Sequence, residues 1–119
     1  DGMGMQLLQK SGIKVGILTS EDKQLNRRRA KKLKLDFDFH GAKDKLQIVK
    51  DLCKSENITL NEVAYIGDDV NCFELLSNVG IAACPENSMK KIKSIPNIIQ
   101  LSKNGGEGVV RELVELILP

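Results

Sequence analysis

Apolar residues recur along the chain in short blocks whose spacing switches between a helical repeat and a near-continuous run, so helices and strands alternate. Residues 3–10 predict a short helix with Met5, Leu7 and Leu8 turned inward and Gly12 just past its end as a C-terminal cap. Residues 14–19 predict a strand whose apolar centre implies burial on both faces, as in a parallel sheet. Ser20 is the expected cap of a helix over residues 21–34 carrying Leu25, Ala30 and Leu33, and residues 37–39 form a very short second strand. Over residues 45–55, Leu46, Ile48, Val49, Leu52 and Cys53 fall at helical spacing, and Thr59-Leu60-Asn61-Glu62 has the spacing of a capping box. A third strand is expected at residues 63–67, a short helix at 71–78 ending at Gly80, and a fourth strand at 81–84. A helix begun by Pro85 at 85–93, a fifth strand at 98–101 and a final helix at 107–118 complete the series. Strands separated by helices imply right-handed crossovers, hence an α/β fold with a Rossmann-like open parallel sheet and helices on both faces. With no linker, repeat or low-complexity stretch, residues 1–119 read as one domain.

Composition narrows the function classes. A chain of 119 residues suits one small domain, and its 41% hydrophobic residues permit a packed core while falling in runs too short to cross a bilayer. Lys and Arg number 18 against 16 Asp and Glu, and the net charge of +2 sets up no long-range field for nucleic acid. Aromatics at 3%, with no Trp, argue against stacking platforms for single strands. Cys53, Cys72 and Cys84 form neither a disulfide ladder nor a zinc pattern, which fits a reducing cytoplasm. The chain opens on Asp1 and not on a start methionine, so a preceding segment is expected, and the lack of a charged and apolar leader argues against an untrimmed secretory precursor.

Ligands of open α/β sheets bind beyond the carboxyl ends of the strands, which directs attention to the residues after each apolar run. The first strand ends in Thr19-Ser20, the third in Gly67-Asp68-Asp69, and Lys45 opens the helix that precedes the third strand. A hydroxyl, an ammonium and two carboxylates on one rim would make a phosphate and magnesium site: Mg²⁺ takes hard oxygen ligands, and phosphate oxygens need charge and hydrogen bonds. Each residue also has a plainer reading. Asp-Asp after a strand serves as a helix N-cap, Thr at a strand end as a turn residue, and Lys45 alone as a solvated lysine.

Four ordered stretches carry a resemblance: Gly16-Ile17-Leu18-Thr19-Ser20, Gly41 to Leu46, Val63 to Asn71 with its Gly67-Asp68-Asp69, and Gly105 to Glu112. Together they resemble the haloacid dehalogenase superfamily, and within it the small capless phosphatases acting on phosphorylated keto-sugar acids such as 3-deoxy-manno-octulosonate 8-phosphate and nine-carbon keto-acid 9-phosphates. A related domain ends some acylneuraminate cytidylyltransferases. The resemblance covers essentially the whole chain. It implies that Thr19 holds the transferring phosphoryl group with help from the backbone at Ser20. It implies further that Lys45 neutralises nucleophile and phosphate, that Asp68 binds Mg²⁺, and that Asp69 adjoins it in the metal shell. Asp1 and Gly2 resemble the Asp-Gly pair that opens the first helix near the substrate, and Arg111 the tail that reaches a neighbouring active site in tetramers of the family.

Two departures qualify the resemblance. The first motif of the superfamily, Asp-x-Asp-Gly, with its nucleophile and its general acid, does not occur in these 119 residues. The family pattern places it on a central strand between the strands of residues 15–19 and 63–67, so the sheet is expected to lack that strand and the chain alone to be inactive. Cys72 stands where many relatives have a further acid. Two functions therefore remain: a magnesium-dependent phosphatase using aspartyl-phosphate, with its nucleophile upstream of Asp1, or a non-catalytic oligomerisation module of a cytidylyltransferase. Elsewhere, Arg27-Arg28-Arg29 with Lys31, Lys32 and Lys34 reads as a solvated helix face rather than an anion site, His40 as a solvent-facing or hydrogen-bonded loop residue, Cys53 as core, and Gly105-Gly106 as a turn.

Overall fold

The computed structural model describes residues 2–105 and 108–118. It divides into two compact units, Asp1–Lys43 and Asp44–Pro119.

The first unit runs α1 (Gly2–Lys10), β1 (Gly16–Leu18), α2 (Gln24–Lys32) and β2 (Phe37–Phe39). α1 ends as its sequence requires: Gly12, at φ +85°, turns the chain so that its N–H reaches the Gln9 carbonyl and that of Ile13 the Leu8 carbonyl. Leu7, expected inside, is 37% exposed, and the inner position of this helix is taken by Gly4. β1 pairs in parallel with β2, Gly16 opposite Phe37 and Leu18 opposite Phe39. Ile17 and Leu18 are only half-buried, and among the described residues β1 has a hydrogen-bonded strand on one edge alone. α2 starts three residues later than expected, and Ser20 caps nothing. Its N-cap is Lys23, which makes no side-chain capping bond, while ahead of the helix Glu21 pairs with Lys23 and Asp22 pairs with Arg27 of α2. Leu25 is 75% exposed and Ala30 is the residue that α2 buries. Asp36 ties the unit together, its carboxylate accepting from the Val15 backbone N–H at 2.7 Å and from the Gln9 amide at 3.1 Å.

The second unit contains α3 (Lys45–Glu56), β3 (Ala64–Ile66), α4 (Phe73–Leu76), β4 (Ile81–Cys84), α5 (Lys90–Lys93), β5 (Ile99–Gln100) and α6 (Val109–Ile117). α3 matches its periodicity: Leu46, Val49 and Cys53 are buried, Asp44 caps the first turn by accepting from Gln47 N–H, and Asn57 closes it in the left-handed conformation. Glu62 reaches back to the Thr59 N–H around a 3₁₀ turn, as the capping-box spacing predicts. The three strands pair in parallel in the order β3-β4-β5, with Tyr65 opposite Ala82 and Ala83 opposite Ile99. Alternation along β4 sends Ala82 and Cys84 into a core with Leu76, Ile92 and Ile95, and Ala83 into a second core with Leu101 and Leu113. This sheet is thus covered on both faces by its own unit. Two helices are shorter than expected. Residues 70–72 form a 3₁₀ turn ahead of α4, and residues 85–88 form a turn closed by Ser88 onto the Pro85 carbonyl, so α5 begins only at Lys90. Gly106 and Glu107, expected in a turn and at the start of the last helix, lie outside the described residues.

Candidate active site

At the carboxyl end of β1, Thr19 donates its N–H to the Phe39 carbonyl and accepts on its own carbonyl from Ala42 N–H. Its Oγ1 accepts from the Glu21 N–H at 3.1 Å, the turn role that sequence alone suggests. That bond uses a lone pair and leaves the hydroxyl hydrogen free to donate to an anion. Ser20 beside it is exposed. His40, one residue past β2, is the hydrogen-bonded of its two expected forms and not the solvent-facing one: its side chain is 1% exposed, with Nε2 bonded to Asp38 and Nδ1 without a partner among the described residues.

In the second unit, three groups meet around one sulfur. Lys45, the first residue of α3, is 7% exposed, against the solvated lysine of a residue-by-residue reading. Its Nζ donates to Cys72 Sγ at 3.5 Å. Among the described residues it has no carboxylate partner, an unusual state for a buried ammonium. Cys72, 4% exposed, also lies 3.5 Å from the Tyr65 hydroxyl and 3.9 Å from Asp69 Oδ1. Burial, and then the hydrogen bond to Cys72, push the Tyr65 phenol well above its ordinary value, so it keeps its proton. The sulfur fits because residue 67 is glycine: a methyl there would lie 2.6 Å from Cys72 Cβ and 2.8 Å from Sγ.

The two aspartates after β3 have different surroundings. Asp69 does cap the following 3₁₀ turn, its Oδ1 accepting from Asn71 N–H at 2.9 Å. Asp68 is exposed and its carboxylate accepts no hydrogen bond from the described residues. It stands near the loop after β5, where a side-chain carbon at Gly105 would come 3.9 Å from Asp68 Oδ2. That loop is pinned by Glu112 of α6, whose carboxylate collects the N–H groups of Ser102 and Lys103 and the Ser102 hydroxyl. Those bonds, led by the Ser102 N–H, hold the Glu112 carboxyl below its ordinary value. An uncommitted carboxylate beside a second one suits a hard divalent cation that keeps several waters. No group of three or more His, Cys, Asp or Glu among the described residues is arranged to enclose a metal, so such an ion would need oxygens from water or substrate.

The structure thus brings Lys45 and Asp69 together through Cys72 and sets Asp68 beside them in sequence, while Thr19 and Ser20 belong to the first unit. Asp1 lies outside the described residues, Gly2 opens α1, and Arg111 sits on α6 with its Nε 3.4 Å from Glu115. The structural parts of Cys72, Tyr65 and Glu112 were not apparent from the chain. The available signal was spacing: Cys72 falls one helical turn after Asp69, and Tyr65 alternates with Gly67 on β3.

Comparison with known proteins bears on these residues. The chain is 30% identical over 118 residues to the 3-deoxy-D-manno-octulosonate 8-phosphate phosphatase of Haemophilus influenzae, covering 99% of this chain and 65% of that protein. It spans less than two thirds of the length of the first curated relatives it matches, 63% for the Yersinia pestis phosphatase. The Moraxella catarrhalis phosphatase of the same name, solved with a magnesium ion, a phosphate ion and a KDO molecule, superposes with a TM-score of 0.93 at 35% identity, over 98% of this chain and 67% of that one. The cobalt-bound Haemophilus influenzae enzyme gives 0.91 at 30% identity, over 98% and 68%. Residues 39–113, from the end of β2 into α6, match the family of haloacid dehalogenase-like hydrolases. On that match and these likenesses, the chain belongs to the haloacid dehalogenase-like hydrolases.

Proposed function

We propose that the protein is a magnesium-dependent phosphomonoester hydrolase acting on a phosphorylated keto-sugar acid in a reducing cytoplasm. The observation that carries this reading is the buried Lys45 ammonium, which among the described residues has only a thiol for a partner, and that thiol in turn lies 3.9 Å from the Asp69 carboxylate just after β3. An uncompensated buried cation calls for an anion, and a phosphoryl group bridging to a cation on Asp68 supplies one. The relatives named above, one of them holding magnesium, phosphate and KDO, support the substrate class.

In this reading Thr19 donates its hydroxyl hydrogen to a phosphoryl oxygen, Ser20 adds its backbone N–H, and Lys45 neutralises charge as the phosphorus is attacked. Asp68 and Asp69 hold Mg²⁺, which supplies Lewis-acid stabilisation of the phosphoryl oxygens when bound. The attacking aspartate and the general acid come from an Asp-x-Asp-Gly segment upstream of Asp1. The strand carrying it would be a further member of the parallel sheet, which among the described residues has unpaired strand edges. Gly2 and Arg111 contribute to substrate binding within a homotetramer.

The 119-residue chain is expected to bind Mg²⁺ and inorganic phosphate yet release no phosphate from 3-deoxy-manno-octulosonate 8-phosphate. Asp68→Asn is expected to abolish Mg²⁺ binding while leaving the circular dichroism spectrum intact. Turnover by the chain alone would disprove the role given to the missing motif, and failure to bind either ion would disprove the site.

A further inference from the structure

We infer that Cys72 is a specificity-determining residue: its thiol is an uncharged bridge between Lys45 and Asp69 that tilts this site toward anions and away from cations. The inference deepens the function proposed above and rests on it.

Three distances define the bridge. Lys45 Nζ donates to Cys72 Sγ at 3.5 Å, Sγ lies 3.9 Å from Asp69 Oδ1 as donor to it, and the Tyr65 hydroxyl lies 3.5 Å from the same sulfur. Lys45 and Cys72 are both buried, 7% and 4% exposed, so water does little to screen what happens between them. A sulfur is a weak acceptor with no formal charge. It therefore fixes where the ammonium points without cancelling its charge. A carboxylate at the same position would do both, since opposite charges in such surroundings attract strongly. With Lys45 positive and Asp68 and Asp69 negative, the formal charge of the cluster is −1, and an acid at position 72 would make it −2. The thiol leaves room for the charge of a phosphate at the cost of weaker attraction for Mg²⁺. The space that admits this sulfur is kept by Gly67, which makes the bridge a built feature of the β3 terminus.

The test measures two affinities separately in the full chain, Mg²⁺ without phosphate and inorganic phosphate without Mg²⁺, by calorimetric titration. Cys72→Asp is expected to tighten Mg²⁺ and weaken phosphate, each by about tenfold, an opposed pair of changes that loosened packing does not produce. Cys72→Ser, which keeps an uncharged donor and acceptor, is expected to hold both within about threefold of the parent. Cys72→Val removes the bridge and is expected to weaken phosphate several-fold while leaving Mg²⁺ alone; this comparison with Ser decides the matter if Cys72→Asp does not fold. Both affinities moving together in Cys72→Asp, or Val binding phosphate as the parent does, overturns the inference alone. A parent chain that binds neither ion overturns the proposed function and this inference with it.

Discussion

Among the described residues the Thr19 hydroxyl has one bond to the protein, from the Glu21 N–H at 3.1 Å, which leaves its hydrogen to give. Structural and catalytic duties therefore use different parts of one group, and they can be separated. Thr19→Val, nearly isosteric, is expected to weaken inorganic phosphate binding by about tenfold while costing only about 1 kcal/mol of stability, with Thr19→Ser restoring both. Phosphate titration and thermal denaturation of the two variants check this; equal phosphate affinity in Val and wild type would remove Thr19 from the site. The positions of Thr19, Lys45, Asp68 and Asp69 are legible from the chain because each follows or precedes an apolar run whose end is easy to locate. What the chain conceals is their surroundings. The burial of Lys45 depends on a sulfur 27 positions away and a tyrosine on β3, and no local pattern encodes that meeting.

At the scale of elements, the carboxyl end of β3 is shaped by what cannot be there. Gly67→Ala would drive a methyl to 2.6 Å from Cys72 Cβ, too close for Cys72 to remain, and to 3.0 Å from Tyr65 Cε2, a tight contact. The expected outcome is a loss of about 1–3 kcal/mol in chemical denaturation together with weakened phosphate binding, since Cys72 moves with the clash. Unchanged stability would show that the turn relaxes freely. Strands and helices with clear periodicity, such as β4 and α3, appear where apolar spacing puts them. The late starts of α2 and α5 share one cause, competition for the first turn. Glu21 and Asp22 are drawn into ion pairs with Lys23 and Arg27, and Pro85 starts a turn that Ser88 closes, so α2 and α5 begin late.

For the whole molecule, acid is the informative stress. Asp36 is held below its ordinary value first by the Val15 N–H and then by the Gln9 amide, and Glu112 first by the Ser102 N–H. A carboxyl whose folded pKa is depressed adds stability that is present above its unfolded value and vanishes as pH falls through the folded one. Melting temperature should therefore be flat with respect to these groups at neutral pH and decline as pH drops past the ordinary values, 4.5 for Glu and 3.8 for Asp. Asp36→Asn and Glu112→Gln are each expected to flatten that decline, and an unaltered acid limb in both would show that these bonds carry no linkage. The order of elements is legible along the chain because every strand is short and bounded by polar residues. The parallel sheet, expected to lack its central strand, is found among the described residues as a parallel pair and a parallel triplet. Among those residues β1 and β3 each present a row of peptide groups along one flank, complementary to any extended backbone whatever its side chains.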